Sequence, residues 1–111
     1  MEKQISWEPD YYVTDVGEII SYKGKLPRVL IRDYSSSYPR VNIGGQKKYV
    51  ADLVAECFLP PPEDPNCKIF FIDGNKENCS VENLAWLTPS QIQIYTQYTL
   101  EYRRYLLKGR T

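Results

Sequence analysis

"KIFFIDGNKENCSVENLAWLTPS", Lys68 to Ser90, holds two short apolar runs parted by a polar loop and followed by a helix-start signal. "KIFFI" reads as one strand, "DGNKEN" as a turn-rich loop and "LAWL" as a second strand, because brief β-branched and aromatic runs bounded by Gly, Asn and Asp are strand-and-turn signals. Asp73, Gly74 and Asn75 suit a tight turn, where Asp and Asn side chains bond nearby backbone N–H groups and Gly accepts positive φ. Thr88 then fits a helix N-cap. Pro89 follows at the first helical position, where its missing N–H costs nothing, and Gln91 stands where a capping box needs it. The pattern predicts one long helix from Pro89 to about Lys108. Along it Tyr95, Tyr98, Tyr102 and Tyr105 recur at intervals of three, four and three, a stripe that either packs on the domain's own sheet or forms a partner interface, including a homodimer seam.

Upstream, "ADLVAECFL", Ala51 to Leu59, puts Leu53, Val54, Cys57 and Phe58 on one helical face and stops at Pro60-Pro61-Pro62. The first half is rich in β-formers, and "YYVTD", "EIISY", "RVLIRD", "PRVNI" and "KKYVA" read as short antiparallel strands. Gly44-Gly45 supplies the two residues that a tight hairpin turn between the last two runs requires. The proline-rich "PPPEDPN" is a stiff connector inside one domain, since 111 residues suffice for a single core. The fold class is therefore α+β: small antiparallel hairpins, a short helix, a strand–loop–strand core and a long C-terminal helix.

Fourteen basic and fourteen acidic residues cancel, which argues against a strong nonspecific phosphate binder. The charges are nevertheless banded. Residues 1–18 carry net −4, residues 23–48 net +6 and residues 52–82 net −5, before a basic end at Arg103, Arg104, Lys108 and Arg110. Lys23, Lys25, Arg28, Arg32, Arg40, Lys47 and Lys48, with Arg103 and Arg104, are the candidate nucleic-acid contacts. Cys57, Cys67 and Cys79 match neither a disulfide framework nor a CxxC metal clip. Histidine is absent, so the commonest general base and metal ligand are missing. With no secretory-type apolar run and no stretch near the roughly 18 apolar residues that cross a bilayer, the expected location is the cytoplasm.

The runs "DGNKEN" and "VENLAWLTPS", with "YVADLVAECFLPPPE" upstream, resemble the HNH homing endonucleases of phages and mobile introns. Trp7 and "YYVTDVGEIISY" resemble the nuclease-associated modular segment that often precedes such cores. The resemblance implies three stretches of a single domain, residues 1–111: a modular-like segment over 1–48, an HNH-like ββα-metal core over 49–93 and a helical extension over 94–111. It also implies that Asp73, Gly74, Asn75, Asn83 and Trp86 are scaffold, with Asn83 holding the loop and Trp86 filling the core beneath it. In the family, an Asp that binds the divalent metal and a His that acts as general base end the first strand; those places here are Phe70 and Phe71. A further ligand from the following helix falls at Ile92, and a histidine before the upstream helix falls at Ala51.

Cleaving a phosphodiester in this fold requires a hard cation on oxygen or nitrogen donors and a base to activate water. Phenyl and sec-butyl groups supply neither. The expectation is a degenerate, histidine-free HNH-like protein that is not an enzyme, needs no metal or other cofactor and is encoded by a phage or mobile element, hence working in the bacterial cytoplasm. Its leading reading is a binding protein that engages a host protein or nucleoprotein complex, as an inhibitor of a nuclease, polymerase or defence system would. The alternative is a non-catalytic accessory or regulator bound to duplex DNA, and the minor alternative is residual metal-dependent cleavage.

Overall fold

The computed structural model describes residues 1–108. Strands β1 (Glu2–Ile5), β2 (Glu8–Thr14), β3 (Ile19–Ser21) and β4 (Arg28–Val29) form an antiparallel sheet in that order. The sequence patterns did not anticipate β1, whose polar "EKQI" buries only its last residue. β5 (Arg40–Ile43) and β6 (Gln46–Tyr49) make a separate hairpin in which Ile43 pairs with Gln46. Gly44 and Gly45 turn it with φ of 57° and 84°. Two consecutive positive φ values define the turn whose twist suits a two-residue hairpin, so glycine is required here. "RVLIRD" yields only the two residues of β4 and a lone bridge from Asp33 to Arg40.

Helix α1 (Val50–Phe58) follows β6 without a break and buries Val50, Ala51, Leu53, Val54 and Ala55. Those side chains join Ile5, Val13 and Ile19 of the first sheet and Val41 and Ile43 of the hairpin in one apolar core. Residues from the N-terminal strands and from the 49–93 stretch therefore share a core. Two further ties join them. Arg32 donates to the carbonyls of Glu77 (2.7 Å) and Gly17 (3.0 Å), and the Val81 N–H donates to the Asp15 carbonyl (2.8 Å).

β7 (Lys68–Phe71) and β8 (Leu84–Leu87) form a two-stranded antiparallel ribbon, with a 3₁₀ turn at Val81–Asn83 leading into β8. Alternation along the strands divides their side chains between two cores. Ile69, Phe71, Leu84 and Trp86 face the first core; Phe70, Ile72, Ala85 and Leu87 face a second. This double burial explains why "IFFI" and "LAWL" are almost unbroken apolar runs. Trp86 is partly buried and packs on the first core, while Leu84 and Leu87 are the fully buried residues of β8.

The long C-terminal helix is also corrected. α2 (Pro89–Tyr95) ends, and α3 (Leu100–Leu107) begins after a break at 96–99. The capping box that starts α2 has both bonds: Gln91 N–H to Thr88 Oγ1 (3.2 Å) and Thr88 N–H to Gln91 Oε1 (2.9 Å). A second cap, Thr99, accepts from the Tyr102 N–H (3.2 Å), while the Thr96 hydroxyl donates back to the Gln93 carbonyl (2.9 Å). Such Thr side chains favour caps over helix interiors. A continuous helix would carry Leu107 about 22 Å beyond Ile92. The break instead returns Leu107 to the second core, beside Phe70, Leu87, Ile92 and Tyr95.

Candidate functional site

The loop between β7 and β8 is held by its own side chains. Asp73 Oδ1 accepts from the Asn75 N–H (2.8 Å), Asn75 Oδ1 from the Glu77 N–H (3.1 Å) and Asn78 Oδ1 from the Ser80 N–H (3.3 Å). Gly74 takes φ 77° between them. Asn83, 5% exposed, locks this ladder to the ribbon. Its Oδ1 accepts from the Asp73 N–H (2.9 Å), and its Nδ2 donates to Asp73 Oδ1 and the Asn78 carbonyl (2.9 Å each). Partial burial works against the Asp73 carboxylate, yet bonds from Asn78, the Asn75 N–H and Asn83 hold its pKa below the ordinary value of 3.8. Both Asp73 oxygens are engaged inside the loop, since Oδ2 accepts from Asn78 Nδ2 (3.0 Å).

Phe70 and Ile92 belong to the same apolar cluster. Phe70 is 6% exposed in the second core, with Ile92 and Tyr95 of α2 packed on that cluster and Leu107 of α3 inside it. Phe71 turns to the opposite face, where its ring stacks on Tyr38 at 5.8 Å and Tyr38 meets Tyr49 edge-on at 6.2 Å. Ala51 is buried in α1. The places that the resemblance assigns to two ligands are therefore brought together, and both are hydrocarbon. Among the described residues no three of His, Cys, Asp or Glu converge as a metal-binding group. A charge of the wrong sign for a cation site stands over Phe70: Arg103 Cζ lies 5.6 Å from the ring centroid. A divalent ion seeks several oxygen donors, and the residues present do not fit one.

The nine candidate nucleic-acid contacts separate into two groups. Arg32 braces backbone carbonyls, Arg40 and Lys47 pair with Asp33, and Lys48 lies over the Trp7 ring at 5.2 Å. Hydrogen bonds from Lys47 first, and then from Ser35, hold the Asp33 carboxylate well below the usual carboxylate range. Arg103 is likewise engaged, by three backbone carbonyls. Lys23, Lys25 and Arg28 stand together around the β3–β4 turn without an ion pair among the described residues, Lys23 resting over the Tyr11 ring at 5.4 Å. Arg104 is exposed on α3 and also unpaired among them; Arg110 lies outside the described residues. Beside the Lys25–Arg28 tip, Leu26 and Ile31 are 79% and 92% exposed, and Val29 is half exposed. A groove of about 530 Å³ runs from Arg28, Val29 and Ile31 to Asn42, Gly44 and Gly45. These apolar rim residues were missed in the sequence because "RVLIRD" reads as an ordinary strand.

The tyrosine stripe survives the helix break as a ladder. Tyr95–Tyr98, Tyr98–Tyr102 and Tyr102–Tyr105 ring centroids are 5.7, 4.8 and 6.3 Å apart. Its inner end packs on the second core, and its outer end, Tyr105, is mostly exposed. Among the described residues, no helix is long and apolar enough to cross a membrane.

Residues 48–93 match the sequence pattern of the HNH endonuclease family. No curated protein matches the chain. A solved structure described as "DNA binding and cleavage by the HNH homing endonuclease I-HmuI" is similar over 97% of this chain, with a TM-score of 0.71 and 27% identity, and this chain covers 66% of that one. HNH endonucleases are enzymes, so the relationship by itself points toward catalysis, against the expectation of a non-enzyme drawn from the missing donors. The chain is thus similar to the HNH endonucleases in sequence pattern over residues 48–93 and in fold over nearly all its length.

Proposed function

We propose that this protein is a DNA-binding member of the family that grips duplex DNA without cutting it. The non-cutting half rests on the apolar cluster that Phe70 and Ile92 share, with the positively charged Arg103 over the Phe70 ring. With hydrocarbon at the metal and base places, losing the base alone typically costs about 10²–10⁴ in rate, before loss of the cation is counted. The binding half is supported by a relative described as binding DNA and by the unpaired Lys23, Lys25 and Arg28 on one hairpin tip. Local rather than total charge faces a polyanion, so zero net charge does not oppose it. Exposed Leu26, Val29 and Ile31 beside those cations suit contact with base edges and thymine methyls.

The relative lends no support to the host-protein reading that the sequence placed first, so DNA now leads. A protein partner is favoured by one observation, the exposed outer end of the tyrosine ladder at Tyr102 and Tyr105. Fluorescence anisotropy with random-sequence duplex DNA separates the two. The DNA reading expects micromolar binding at 50 mM salt that falls steeply by 200 mM. Absence of binding at low salt would contradict it and favour the protein partner.

A further inference from the structure

Arg103 lies in an unusual setting for a residue on a short surface helix. Its Nε donates to the Tyr95 carbonyl (2.8 Å), Nη1 to the Ile72 carbonyl (3.0 Å) and Nη2 to the Thr96 carbonyl (3.0 Å). The guanidinium thus joins the end of the β7 strand, the C-terminal carbonyls of α2 and its own helix α3. It also sits over the Phe70 ring. Carbonyl oxygens and an aromatic face are the electron-rich surfaces that attract a cation, and carbonyls at a helix C-terminus favour positive charge. Leu107, one turn further along α3, closes the apolar side of the same place.

We propose that Arg103 is the resident cation of this core: its guanidinium straps α3 over Phe70 and Ile92 and keeps divalent metal out. The inference rests on the non-cutting reading and deepens it, because it names the residue that occupies the place rather than only those that vacated it. A carboxylate introduced at residue 70 would meet the guanidinium first and be neutralised by it. Arg103 is therefore a positioning residue. Restoring ligands alone does not restore a metal site; the strap must go as well.

The experiment is a Mn²⁺ titration followed by electron paramagnetic resonance on full-length Phe70→Asp/Ile92→Asn, with and without Arg103→Met. The expected result is at least tenfold tighter Mn²⁺ binding when Arg103 is also replaced. Equal binding by the two variants, or none by either, overturns the proposal. A second measurement does not depend on those variants folding. In the otherwise native chain, Arg103→Met should raise amide exchange over residues 100–107 at least tenfold while residues 2–21 stay unchanged. No change over 100–107, or an equal rise in both stretches, overturns it. Nicking by the native protein would defeat the non-cutting reading instead and leaves the exchange result to judge the strap.

Discussion

Every polar atom of the Asn83 side chain is engaged between the loop and the ribbon, and almost none of it reaches water. Removing a buried partner leaves the other groups unsatisfied, at about 1–3 kcal/mol. Asn83→Ala should therefore lower the unfolding free energy by an amount in that range, read as a lower urea midpoint with the denaturant slope unchanged. Asp73 adds a pH dependence. Its folded pKa lies below the ordinary 3.8, so its contribution is fully present above the unfolded value and is lost as pH falls from there through the folded pKa. Acid titration of the native protein should show that loss below about pH 4, and Asp73→Asn should flatten its part of the curve. The Asp73-Gly74-Asn75 turn was legible in the sequence because its bonds join residues two apart. Arg103 was not, because its acceptors lie 7, 8 and 31 residues away and nothing in "YRRY" distinguishes it from Arg104.

The β7–β8 ribbon works as a partition, with one apolar core on each face. Its reading as two strands was secure because both runs are short, apolar and bounded by turn residues. The start of α2 was equally plain from Thr88, Pro89 and Gln91. The end was not. Tyrosines at helical spacing run straight through 96–99, so periodicity alone predicted one helix where a second Thr cap divides two. Energetically the break matters because it seats Leu107, which is 3% exposed, in the second core. Leu107→Ala should cost about 2–5 kcal/mol, measured by thermal or urea unfolding. A cost near zero would mean that α3 does not pack on the ribbon. β1 escaped the sequence reading for a related reason: an edge strand of "EKQI" offers pairing to β2 and a single buried side chain, without a run of β-formers to reveal it.

At the scale of the whole molecule, the charge bands visible in the sequence sort into different roles once folded. Acidic Asp33 gathers Arg40 and Lys47, and Arg32 ties the first sheet to the β7–β8 loop, so much of the net +6 band is structural. What remains outward is the Lys23, Lys25 and Arg28 tip. If that tip meets phosphates, Lys25→Ala and Arg28→Ala should each weaken duplex binding across sequences and reduce the salt slope by about 1, while Lys47→Ala should change it little. Equal effects from all three would place the contact elsewhere. In the second core, Phe70 and Ile92 put hydrocarbon where a metal and a base would have to stand, with Arg103 over the Phe70 ring. Incubating the native protein with supercoiled plasmid and Mg²⁺ or Mn²⁺ tests the non-cutting reading most directly. No nicking above a protein-free control is expected; chelator-sensitive nicking that persists in Asp73→Ala would show that the site still holds a working metal.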